Sequence, residues 1–240
     1  MTDKHEFERA ERDTSFDLRW RGKLARVLDG AVGEETRRRV MEGAEKLTAD
    51  SSGDELIGWT RGAMGRLEEQ VGEDDRKHIM TQCACQYPRE RLEHMRQKYA
   101  ETLDRDLVHR MLQEQFLATT KDFLGLDDEQ LEDIRRRGWG VAGVREGGTI
   151  VATKMPFEFH RYFEATTPEE RRYRFCHCQG VREVIRRGET FPETYCYCGA
   201  GFYRGIWEHI LQRPVKVEVL ESVLGGGDFC RIAIHLPPDA

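Results

Sequence analysis

The sequence predicts an α+β fold, an N-terminal helical bundle followed by a C-terminal antiparallel sheet covered by helices, and three observations predict it. Apolar residues recur at helical spacing from about Ser15 to Arg137. The period changes after Gly138, where Gly147-Gly148 separates two short stretches that read as a hairpin. Toward the other end, valines and isoleucines alternate with polar residues. At 240 residues the chain reads as two domains, a helical bundle over 1–137 and an α+β, cysteine-rich metal or ligand domain over 138–240.

Residues 1–14 are nearly all polar and read as a frayed end. Phe16, Trp20, Leu24, Val27 and Leu28 then form one helical stripe, and Ile57, Met64, Leu67 and Val71 a second. Ser52 with Glu55 has the pattern of a capping box, Pro88 can open a helix, and Asp127 with Gln130 marks a further start. Leu92, Met95, Tyr99, Leu107, Met111 and Phe116 continue the period, which gives about six helices in the bundle. Val141–Arg145 and Thr149–Met155 make the first hairpin. Val215, Val217 and Val219, then Cys230, Ile232 and Ile234, mark two half-buried strands joined through Gly225-Gly226-Gly227-Asp228. Between the hairpins, Thr167-Pro168-Glu169-Glu170 caps one helix. Tyr203, Ile206, Trp207, Ile210 and Leu211 stripe another, which ends before Pro214.

No run approaches the ~18 apolar residues of a membrane span, and the polar start has no signal-peptide core, so a cytoplasmic location and no membrane partner are expected. A net charge of −6 argues against broad binding to nucleic acid. There is no G-x-S-x-G, H-E-x-x-H or P-loop, which excludes the common serine-hydrolase, zincin and nucleotidase signatures.

Six of the seven cysteines fall in Cys-x-Cys pairs: Cys83 and Cys85, Cys176 and Cys178, Cys196 and Cys198. In a reducing compartment such pairing points to metal or redox chemistry rather than to a disulfide framework. The two later pairs stand at zinc-like separation, each expected just before a helix whose unpaired amides favour thiolate. Cys176, Cys178, Cys196 and Cys198 are therefore expected to hold zinc, with an iron–sulfur cluster as the alternative, and His177 is a candidate extra ligand. Cys83 and Cys85 can join such a site only if their helix ends before them, because residues two apart on a helix diverge by roughly 200°. His160 and His235 read as ordinary surface or sheet residues.

Arg171, Arg172, Arg174, Arg182, Arg186 and Arg187 crowd around the first pair. They read either as a solvated helix face or as a rim for a small anionic organic molecule, with Arg171, Arg174 and Arg182 as its anchors. The rival functional expectation is hydrolysis of a small ring or amide, by metal-activated water or by attack of Cys230.

The stretch Glu170-Arg171-Arg172, Cys176-His177-Cys178, Cys196-Tyr197-Cys198-Gly199-Ala200-Gly201-Phe202, Trp207-Glu208 and the closing Gly227-Asp228-Phe229-Cys230 resembles an uncharacterised bacterial Cys-x-Cys family. That family is loosely similar to the L-2-amino-thiazoline-4-carboxylic acid hydrolase family and to vinyl-4-reductase-type small-ligand domains. The resemblance covers about a third of the chain, with Gly227, Asp228 and Cys230 as the matching residues. It implies an α+β domain with a pocket for a small organic molecule and a metal nearby.

Overall fold

The computed structural model describes residues 14–178 and 180–238. Six helices, α1 (Thr14–Val40), α2 (Gly53–Gln70), α3 (Glu73–Gln82), α4 (Glu93–Thr102), α5 (Arg105–Leu124) and α6 (Asp128–Arg136), precede the sheet among these residues. Four more flank it: α7 (Phe159–Glu164), α8 (Pro168–Phe175), α9 (Glu183–Arg186) and α10 (Tyr197–Leu211). The arrangement is the expected α+β one. Of the stretch expected to fray, residues 1–13 lie outside the described residues, as does Gln179.

Local chemistry sets the helix boundaries. The Ser52 hydroxyl accepts from the Glu55 amide while the Glu55 carboxylate accepts from the Ser52 amide, which starts α2. Asp127 and Gln130 do the same for α6, and Thr167 caps α8 with Pro168 at its first position. Each cap is worth about 1 kcal/mol. Pro88 departs from expectation: it opens a 3-10 turn over Arg89–Arg91, and α4 begins only at Glu93. The helix expected after Cys176 and Cys178 is short: α9 covers only Glu183–Arg186, and before it the Val181 and Arg182 amides both bond the Cys178 carbonyl, each at 2.9 Å.

The sheet comprises β1 (Val144–Glu146), β2 (Thr149–Thr153), β3 (Lys216–Glu221) and β4 (Arg231–His235), all pairs antiparallel in the order β1-β2-β4-β3. Entry to β1 requires Gly143: its φ is 63°, and a Cβ there would lie 2.6 Å from the Val151 carbonyl oxygen. In the central pair Ile150 stands opposite Ile234 and Ala152 opposite Ile232, and all four are buried. Side chains of period two therefore give this pair one continuous apolar row.

The chain divides into two compact units, each drawn from both sides of residue 138. Unit 1 takes the chain up to Ala84, Pro156–Cys198 and Val223–Asp228, and so is built on α1–α3 and α7–α9. Unit 2 takes Cys85–Met155, Gly199–Ser222 and the chain from Phe229, and so contains the sheet, α4–α6 and nearly all of α10. Trp207, Ile206 and Ile210 of α10 are wholly buried, each worth about 1.5–3 kcal/mol.

Candidate functional site

In unit 1 the arginine-rich segment closes on itself. Glu158, whose side chain is only 1% exposed, receives the Arg174 guanidinium at 2.5 Å and that of Arg182 at 2.9 Å, with Arg161 at 3.4 Å. The Arg182 contact is an ion pair rather than an aligned hydrogen bond. Arg182 also stacks on Tyr173 at 4.5 Å and on Phe157 at 5.3 Å, and Arg186 lies 4.1 Å from the centre of Tyr173. The Tyr173 hydroxyl donates to Glu183 at 2.7 Å; burial, then this bond, raises its pKa. Amides of Phe157 and Glu158 bond the carbonyls of Phe175 and Arg174, which fixes the end of α8 where Cys176-His177-Cys178 follows. Arg171 is exposed, donates to the Ala165 carbonyl at 3.2 Å and lies over the Tyr162 ring. The three arginines expected to anchor a ligand thus each have a partner within the chain.

Of the two late cysteine pairs, the second stands at the start of α10 as expected, whereas the first does not stand at a helix start. Cys176 is buried as the C-cap of α8, and α9 opens five residues after Cys178. Cys196 closes a 3-10 turn over Glu193–Cys196 that runs directly into α10, so the Tyr197 amide already bonds the carbonyls of Thr194 and Tyr195. Cys198 is the second residue of α10. His177 is exposed, edge-on to Phe157 at 5.5 Å.

The helix before Cys83 does end, at Gln82, with Cys83 as its C-cap. Yet the Cys83 thiol is 2% exposed and donates to the Ile79 carbonyl at 3.4 Å. Burial pushes its pKa up to about 12, against the opposing pull of Lys23, so it is protonated at neutral pH. Cys83 belongs to unit 1, whereas Cys85, exposed, belongs to unit 2. Among the described residues no group of three or more His, Cys, Asp or Glu side chains is placed to hold a metal ion.

Unit 2 presents a different constellation, around Cys230. The Lys154 amide bonds the Cys230 carbonyl at 2.9 Å, which extends the β2–β4 ladder one step beyond the Thr153–Arg231 pair. Lys154 and Cys230 thereby stand opposite each other and continue the row Ile150–Ile234, Ala152–Ile232. An apolar row ends in an ammonium and a thiol, both half-buried. The Lys154 ammonium reaches α10, where it lies 2.7 Å from the position a Cβ of Gly199 would take. Tyr203 follows Gly199 by four residues and so shares that face of the helix. Its side chain is 2% exposed, and its pKa is raised by burial; the Lys154 charge opposes the shift and Cys230 adds to it. The phenol is therefore a neutral hydrogen-bond donor within the field of both groups.

The alternation in β4 places Cys230 on the apolar face. Lys154 was legible by the same rule, as the in-phase residue after Ile150 and Ala152. Glu158, Gly199 and the role of Tyr203 carry no local signal. Sequence reasoning also passed over His109, whose Nε2 lies 3.0 Å from the Ala142 carbonyl oxygen with its ring stacked on Trp207; burial lowers its pKa.

Residues 168–239 match a family of unknown function, DUF6144. That span runs from α8 to just beyond β4; it includes both late Cys-x-Cys pairs, Gly199, Tyr203 and Cys230, and leaves Glu158 and Lys154 outside. No curated protein and no solved structure matches the chain. No helix among the described residues is long and apolar enough to cross a membrane.

Proposed function

We propose that the protein is a cysteine-dependent hydrolase of a small acid-bearing amide or ring, with Cys230 as its nucleophile. The observation that supports this reading is the pairing of Lys154 with Cys230 at the end of the buried row, with the Lys154 ammonium against the α10 face that carries Tyr203. An ammonium beside a thiol favours thiolate, the form that attacks. Attack forms a C–S bond at the carbonyl-level carbon, and the Tyr203 hydroxyl donates to the oxygen that becomes negative. The C–N bond then breaks, and the nitrogen leaves with a proton from Lys154. Water, deprotonated by the resulting amine, cleaves the thioester, frees the acid and restores both groups. Before reaction, the same ammonium draws the substrate's carboxylate.

Alkylation by iodoacetamide at pH 7, followed residue by residue by peptide mass spectrometry, tests the nucleophile. Cys230 should react about tenfold faster than glutathione, and Lys154→Met should remove the difference. A Cys230 that reacts no faster than glutathione would overturn the reading.

A second reading, a zinc or iron–sulfur centre on Cys176, Cys178, Cys196 and Cys198, draws support from the placement of both pairs in the same compact unit. Elemental analysis and a visible spectrum of anaerobically purified protein test it. Stoichiometric metal that disappears in Cys178→Ser and Cys198→Ser supports it, and metal-free wild-type protein overturns it.

A further inference from the structure

We infer that Gly199 is a positioning residue whose missing side chain seats the Lys154 ammonium against α10, above Tyr203 and opposite Cys230. The chemical consequence of this placement rests on the thiol reading above, whereas the placement itself rests on packing alone.

A glycine in the first turn of a helix needs a reason, because alanine there is favoured by about 1 kcal/mol. Backbone conformation does not supply one, since Gly199 is not among the residues with positive φ. Space does. A Cβ at this position would meet Lys154 Nζ at 2.7 Å, closer than real side-chain carbons approach such an atom, and Cε at 3.2 Å, a tight contact. By contrast, Gly58 and Gly65 inside α2 have nothing within 4 Å of the same position. The seat is also electrostatically costly for a cation, because the start of a helix carries the positive end of its dipole. An ammonium held there favours a nearby anion, and the thiolate form of Cys230, across the ladder, is the group placed to answer it.

The atoms that an added methyl would strike are the far end of a flexible side chain rather than backbone. Gly199→Ala should therefore displace the ammonium and leave the fold intact. The expected signature is a pair of opposite changes: a melting temperature equal to or above that of wild type, and a fivefold or greater fall in the rate of Cys230 alkylation. Lys154 itself should become more reactive toward N-hydroxysuccinimidyl acetate. In the double variant Gly199→Ala/Lys154→Met, alkylation should be no slower than in Lys154→Met alone, since both changes remove one interaction. Cys230 alkylation unchanged in Gly199→Ala while Lys154→Met slows it would overturn the positioning role and leave the thiol reading standing. No effect of Lys154→Met would overturn both. Gly199→Ser, with a polar group in the same space, should fall between wild type and alanine; a serine variant as fast as wild type would also count against the inference.

Discussion

Two clusters in this molecule carry opposite lessons. Around Glu158 the chain gathers many charges: three arginines converge on one buried carboxylate, and aromatic faces take up the remaining sides of two of them. Every one of those groups is engaged by another part of the same unit, so the cluster shapes a turn. Around Cys230, by contrast, a lysine and a thiol stand opposite each other at the end of an apolar row, within the field of a buried phenol. A crowded charge cluster can be architecture, whereas a sparse polar intrusion on a core face calls for a chemical explanation.

The largest expected effect tests the architectural side. Glu158→Ala removes the common partner of three guanidinium groups, including that of Arg182 with a side chain only 12% exposed. Loss of one member from a buried charge cluster typically costs about 3–5 kcal/mol. Urea denaturation should show a loss of that order, and a change below about 1 kcal/mol would place the cluster on the solvated surface.

The two thiols sharpen the contrast next. Cys83 should be alkylated at least about a hundredfold more slowly than Cys230 at pH 8, because its proton is held by burial and by the Ile79 carbonyl. The linkage has a definite sign. The folded value lies above the unfolded one of about 8.5, so the contribution is complete below that pH and is lost as the pH rises toward about 12. Cys83→Ala should flatten that part of the stability–pH curve, and an unchanged slope would show that another group sets it.

The smallest effect belongs to Arg171. It is exposed and makes one bond to a carbonyl and one distant ring contact, so Arg171→Ala should cost less than about 1 kcal/mol. If that variant instead abolished binding of a small carboxylate in a thermal-shift screen, the arginine segment would be a ligand rim after all.

What the sequence disclosed follows from the range of the forces involved. Ser52 with Glu55, Asp127 with Gln130 and Thr167 with Pro168 were legible because a cap is satisfied within four residues. The glycine turn before β2 and the alternation in β4 were legible for the same reason. The end of α8 was not, since Phe157 and Glu158, distant in sequence, bond back to the carbonyls of its last turn. The candidate site divides along the same line. Cys230 could be placed on a face from its own strand, but its partners come from strand register and from a glycine whose meaning lies in another segment's lysine.

The order of strands in the sheet has a consequence for biosynthesis. β4, at the heart of the sheet between β2 and β3, is the latest of the four in the chain. During synthesis at ~5–20 residues per second, β2 waits several seconds with an open edge before the strand that covers it emerges. The Lys154–Cys230 pair is completed only in that closing event, so the nascent chain keeps the ammonium and the thiol apart until its sheet is sealed.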